Sequence, residues 1–213
     1  MLLYRNAAGW QHQYLCNSCK VFRVICGMDF HIEFSPKHLS QKINHRHKLL
    51  LLGSCFTENI GDKLLAHKFS VLQNPNGILF NPVSVKEAVE NYISNKVITE
   101  NDLFYLNEGY HSWQHHSRFS GTTKEDAVQK INTSTNTAHH YLKETDTVII
   151  TLGSAWVYEL TAKAANVKAG DVAANNHKAP ADWFNRRLLT NAEVIDLLHA
   201  TILQLQQFNP FIK

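Results

Sequence analysis

The sequence predicts an α/β domain in three layers, with helices on both faces of a parallel sheet. Two short continuous apolar runs, Lys48 to Gly53 and Asp146 to Leu152, each lead into Gly-Ser, as strands buried on both faces of a parallel sheet require. Amphipathic segments at the 3.6-residue period lie between and after them. Strands alternating with helices favour right-handed crossovers, and ligands in such sheets bind outside the carboxyl ends of the strands, where Gly53-Ser54 and Gly153-Ser154 both fall.

The elements follow in order. After the first strand, Thr57 stands as an N-cap, followed by Glu58 and a helical pattern through Ile60, Leu64 and Leu65 to about Lys68. Phe69 to Leu72 reads as a second strand, and Asn74-Pro75-Asn76-Gly77 as a turn. From Ser84, Val85, Ala88, Val89, Tyr92 and Ile93 share one helical face. Leu103 to Leu106 and Tyr110 to Trp113 flank Asn107-Glu108-Gly109, which marks a small hairpin outside the main sheet. A helix from about Lys124 to Leu142 precedes the strand at Asp146, and Thr133 to Thr137 is its weakest part. Thr161 to Ala181 is polar and alanine-rich, a loop over the active face. Thr190 caps a last helix with Val194, Leu197, Leu198, Ile202 and Leu205 on one face, ended by Asn209-Pro210.

Charge is uneven. Residues 1–27 hold Arg5, Lys20 and Arg23 and no acid; without them the 21 basic residues fall to 18, equal to the 18 acidic ones. A neutral body gives no reason to expect a nucleic-acid partner. No run of about 18 apolar residues occurs, so no membrane span is expected. The apolar stretch Val21 to Ile25 is broken by Arg23 and lacks a continuous h-region, so a cytoplasmic location is expected. Cys16, Cys19 and Cys26 also fall in the leader, leaving only Cys55 in the body. With His12 they admit tetrahedral zinc ligation. The plainer reading is a non-native or disordered extension over residues 1–27, translation beginning at Met28, and a domain over 28–213. No metal or cofactor is expected.

Ser54 carries the chemistry. It lies directly after a buried strand and before a helix, where glycine permits a sharp turn and helix amides favour developing negative charge. That is the setting of a nucleophilic serine, although a small polar residue there also serves as a helix cap. Cys55, beside it, is expected to point into the core.

Leu51-Leu52-Gly53-Ser54-Cys55-Phe56-Thr57-Glu58-Asn59-Ile60-Gly61 resembles the signature of the GSCFA family, with Thr57 in place of the alanine. Asn76-Gly77-Ile78-Leu79-Phe80-Asn81-Pro82, His116-Ser117-Arg118-Phe119, Thr151-Leu152-Gly153-Ser154-Ala155-Trp156-Val157-Tyr158 and Asn176-His177-Lys178 extend the resemblance. The family is similar to SGNH hydrolases, which implies a flavodoxin-like strand order, Ser54 as nucleophile, and the amides of Ser54 and Gly77 as oxyanion donors. The family pattern's asparagine after the third strand is absent, and Ser154 or Asn176 are its candidate substitutes. The resemblance also implies a next strand leading into a Ser-Pro-Val-Arg-His segment with the catalytic histidine. The sequence ends at Lys213 before it, so a chain without its last strands and with little turnover is expected. His177 is the one residual base candidate.

Asn76, Trp113, His116, Arg118, Gly153, Ser154, Asn176 and His177 are the expected site lining, with Trp113, His116 and Arg118 as a substrate wall. An equally open reading makes the Trp113 region a polar hairpin packed on the core. His111, His115 and His116 also admit a metal, although adjacent residues on an extended strand point opposite ways. The substrate class implied is an acyl ester, small or on a glycan. A non-catalytic binding module and an acyltransferase on the same fold are the alternatives, and self-association through the exposed edge of the third strand is a further expectation.

Overall fold

The computed structural model describes residues 4–6, 9–11, 35 and 42–213, in two compact units, 1–42 and 43–213. In the first, β1 (Tyr4–Asn6) pairs antiparallel with β2 (Gly9–Gln11). The zinc reading at His12, Cys16, Cys19 and Cys26, and the start at Met28, lie outside the described residues.

The second unit is an α/β fold. Its parallel sheet comprises β3 (Lys48–Gly53), β4 (Ser70–Gln73) and β7 (Thr147–Thr151) in the order β4-β3-β7, so the first strand is central and its sequence neighbours flank it. This is the start of the flavodoxin-like order. Leu49 to Leu52 are all essentially inaccessible, as expected of a central strand covered on both sides, and each contributes about 2 kcal/mol of burial. Leu50 and Leu52 pack with Val85, Val89 and Tyr92 of α2 (Pro82–Ser94), Ala138 and Leu142 of α3 (Lys124–Lys143), and Leu205 of α4 (Asn191–Phe208). On the other face lies α1 (Cys55–Ala66), whose Gly61 sits so close to Gln73, the β4 partner of Leu51, that a Cβ would overlap it. The three layers follow from one crossover on each face.

Caps set the helix starts. Ser54, not Thr57, occupies the N-cap of α1, because Thr57 already lies inside the helix with its hydroxyl bonded to Thr151 Oγ1. The second helix begins two residues earlier than its apolar pattern, since Pro82 suits the first turn and Asn81 Oδ1 accepts from Ser84 N at 2.9 Å. Thr123 caps α3, which stays helical through Thr133 to Thr137, and Thr190 with Glu193 forms a capping box on α4. Asn209, just past α4, shares its amide nitrogen among the carbonyls of Leu142, Lys143 and Thr145, closing the end of α3. The expected apolar face of α4 is only partly covered: Leu205 is buried, Ile202 is exposed. Lys213 donates to Asp146 O and accepts from Val148 N, lying beside the outer edge of β7.

A second sheet was not expected. β8 (Trp156–Leu160) pairs antiparallel with β10 (Phe184–Leu188) and with the short β9 (Val172–Ala173), which lies inside the stretch expected to be a loop. The expected hairpin is present as β5 (Phe104–Leu106) and β6 (Gly109–His111), unpaired with either sheet. Phe104 stacks on Trp113 at 3.8 Å, and both pack with Leu160 and Ala173 in a second core.

Two buried histidines, His177 against the second core and His115 against Phe119, make this unit acid-sensitive. His177 Nε2 donates to the Ser112 carbonyl at 2.8 Å, and His115 Nδ1 shares a hydrogen bond with Ser112 Oγ at 2.9 Å. Burial holds His177 down to about 4 and His115 down to about 3, against an ordinary 6.5. The unfolded chain therefore takes up protons near pH 6.5 that the folded chain refuses until lower pH, so stability is full above that value and falls as the pH drops toward 4. Urea unfolding at pH 7 and pH 5 should show a loss of about 4 kcal/mol from the pair. His115→Gln should roughly halve the loss; a pH-independent midpoint would contradict the assignment.

Candidate active site

Gly53, the last residue of β3, and Ser54 after it are held from three directions. Gly53 N donates to Asn74 Oδ1 at 2.9 Å, Ser54 N to Thr151 O at 3.0 Å, and Leu79 N to Gly53 O at 2.9 Å. Gly53 has φ 139°, and a Cβ there would overlap the Thr151 carbonyl, so glycine is required for both conformation and space. Ser54 is mostly buried, and its side chain accepts no capping bond from the helix. Its Oγ instead lies 3.3 Å from Thr151 Oγ1. The amides of Cys55 and Phe56, in the first turn of α1, have no partner among the described residues, as helix starts leave them. Cys55 is exposed rather than turned into the core, because the first turn of α1 stands at the open end of the sheet.

Both amides that the resemblance implied as oxyanion donors are engaged. Ser54 N–H holds Thr151 O, and Gly77 N–H donates to Asn74 O at 2.7 Å. Gly77, at φ 84°, lies against His116 so closely that a side chain would overlap the histidine Cβ. Asn76 is buried and works as a latch: Oδ1 accepts from Tyr92 at 2.8 Å and Nδ2 donates to Gln114 O at 3.2 Å. His116 N donates to Asn76 O, and His116 Nδ1 accepts from Arg118 N at 3.2 Å. Arg118 pairs with Glu58 of α1 at 3.1 Å and also donates to the Asn74 carbonyl.

The remaining expected residues divide. Trp113 is buried in the second core with its indole N–H on Ala165 O at 3.1 Å, so it supports rather than faces the serine. His177 is fixed in the same core; among the described residues its Nδ1 is buried without a partner and no histidine ring hydrogen-bonds Ser54. His111 is held by Ser120 and by the Leu106 carbonyl, so His111, His115 and His116 each have separate partners, and no metal-binding group of three is found among the described residues. Gly153 and Ser154 do reach the serine's surroundings: both amides donate to Phe80 O, at 2.9 and 3.0 Å, and a Cβ on Gly153 would be 3.4 Å from that of Ser54. Ser154 and Asn176 line a cavity of about 350 Å³ with Phe80, Trp156, Tyr158 and Arg186.

Sequence reading missed Asn74 and Arg186. The positive φ of Asn74, 43°, matches its place in a dense turn signal, but its partners Gly53, Glu58 and Arg118 are 21, 16 and 44 residues away.

The fold and site define an α/β domain with a serine presented at the carboxyl end of its central parallel strand. The sequence profile of the GSCFA family matches residues 48–213, and the chain belongs to that family. No curated protein and no solved structure matches it.

Asn74→Ala removes the acceptor of a buried amide and a side chain suited to positive φ. It should cost about 2–3 kcal/mol in urea unfolding. A loss under 0.5 kcal/mol would show that the turn holds without it.

Proposed function

We propose that this domain is a serine esterase or deacylase of the SGNH type, in which Ser54 Oγ attacks the carbonyl carbon of an acyl ester. The observation that carries this reading is the Ser54 hydroxyl at the carboxyl end of a parallel strand, released from capping, with Gly153 between it and the Phe80 ring that lines a cavity. Attack forms a bond from Ser54 Oγ to the acyl carbon, the ester C–O bond breaks, and the alcohol leaves with a proton; water then cleaves the acyl-serine. The unpartnered amides of Cys55 and Phe56 are the donors best placed for the oxyanion, with the positive end of α1 behind them. The Ser54 and Gly77 amides would first have to leave the carbonyls they now hold.

Among the described residues Ser54 has only the Thr151 hydroxyl as a side-chain partner, and a hydroxyl is no base near neutral pH. General-base help is worth about 10² to 10⁴ in rate, so this chain should turn over slowly. The same engaged amides favour a second reading, a binding module on the same fold. An acyltransferase would share the first chemical step and differ only in the acceptor. Partners under this reading are an ester substrate and a second copy of the chain at the β7 edge, which among the described residues is met only by Lys213, at Asp146 and Val148. Light scattering should show oligomers, and a clean monomer would remove that partner.

Prolonged incubation with a fluorophosphonate should place a phosphonyl adduct on the peptide containing Ser54 and none on Ser54→Ala. Absence of the adduct sinks the esterase and favours the binding module. Hydrolysis of p-nitrophenyl acetate should stay close to the Ser54→Ala control; fast Ser54-dependent turnover would show that a base is present.

A further inference from the structure

The strands around the cavity beside Ser54 sort two adjacent arginines onto opposite faces. In β10, Arg186 pairs with Tyr158 and Arg187 with Val157. Side chains alternate across a strand, so Arg186 shares a face with Tyr158 and Trp156 while Arg187 lies on the reverse. Arg187 is neutralised there by Glu159 at 2.8 Å and Glu193 at 2.7 Å. Arg186 has no carboxylate partner among the described residues; its guanidinium lies over the Trp156 ring at 3.9 Å. Stacking of that kind fixes the plane of the guanidinium and leaves its N–H edge to meet a planar or tetrahedral anion.

The rest of the cavity suits a sugar. No acidic residue lines it, so Arg186 sets its charge. Phe80, Trp156 and Tyr158 are 46%, 38% and 39% exposed, giving flat apolar faces on which pyranose C–H groups can lie. Asn175 and Asn176 use their side-chain oxygens on the backbone of His177 and Lys178, leaving both amide nitrogens as donors to hydroxyls. Gly153 stands between the serine and the cavity: a Cβ on it would lie 2.7 Å from the ring of Phe80, which lines the cavity, and 3.4 Å from the Ser54 Cβ.

We infer that this cavity holds the acidic sugar of an acyl ester, with Arg186 binding its carboxylate or phosphate and the aromatic faces carrying the ring. This rests on the esterase reading for the words "acyl ester", but the recognition of an acidic sugar stands on the cavity alone. It is tested in Ser54→Ala, where no chemistry follows binding, by calorimetric titration with a galacturonic acid trimer, mannose 6-phosphate and a neutral galactose trimer. At low salt at least one acidic ligand should bind about tenfold or more tightly than the neutral trimer, as a charge-assisted pair predicts. The tighter of the two acidic ligands tells carboxylate from phosphate. Arg186→Gln should bring acidic and neutral ligands within about twofold of each other, whereas Arg187→Gln, on the reverse face, should keep the preference. Equal binding of acidic and neutral ligands, no binding of any, or a preference surviving in a folded Arg186→Gln overturns the inference. A Ser54 that resists fluorophosphonate while the Arg186-dependent preference persists would sink the esterase and leave the acidic-sugar site in place.

Discussion

The closing of the Gly53-Ser54 turn between two other strand ends is the constraint on which the site depends. Asn74 reaches across from the loop after β4 to take the Gly53 amide, the Thr151 carbonyl of β7 takes the Ser54 amide, and Leu79 returns a bond to the Gly53 carbonyl. The rest is built outward from that closure. Holding Leu79 places Phe80, whose carbonyl gathers the amides of Gly153 and Ser154. Arg118 ties the Asn74 carbonyl to Glu58 in the first turn of α1. The Gly53–Asn74 link is buried, so losing the Asn74 side chain would leave the Gly53 amide unsatisfied, whereas the Arg118–Glu58 link lies in the open. The closure therefore fixes where the Ser54 hydroxyl lies more firmly than any single contact of that side chain.

The same closure limits the chemistry. An amide bonded inside the fold does not stabilise charge on a substrate, and the two amides suggested by family resemblance are both engaged in this way. What remains open is the start of α1, where helix geometry leaves amides without intrahelical partners whatever the surroundings. A serine at an N-cap normally turns its hydroxyl back onto those amides; here the hydroxyl is drawn to Thr151 instead, and the amides are left facing outward. The neighbourhood of Thr151, which also takes the Thr57 hydroxyl, thus decides whether the Ser54 hydroxyl caps the helix or is turned away from it.

Some of this was legible in the sequence for a definite reason. Leu49 to Leu52 is covered on both faces, so the strand appears as an unbroken apolar run, and the helices after it announce themselves by period and caps. The second sheet gives no such signal. Phe184-Asn185-Arg186-Arg187-Leu188 is polar over most of its length because its strand is largely exposed, and β9 is only two residues long. The turn Asn74 to Gly77 was visible as a turn, but the side chains of Asn74 and Asn76 act on partners that chain proximity does not reveal. The burial of Trp113 was open for a related reason: a large aromatic beside several histidines suits a binding wall as well as a core, and only the arrival of Leu160 and Ala173 from distant segments settles which. Local pattern reports how a segment meets its own surroundings and is silent on which remote residue completes a hydrogen bond.

The division between the two sheets also separates what is general in this fold from what is particular. The parallel sheet presents a serine through backbone geometry and buried leucines, features that many sequences can satisfy. The antiparallel sheet uses strand alternation to send Trp156, Tyr158 and Arg186 toward the cavity and Arg187 toward Glu159 and Glu193. A shift of β10 by one residue against β8 would exchange the two arginines, pointing the one paired with acids at the cavity and stranding the other on the reverse face. Register therefore sets the charge of the cavity. At its far end the same face carries Leu160, Ala173 and Phe184 into the second core, which fixes the register by burying them. Packing at one end of the sheet thereby determines recognition at the other.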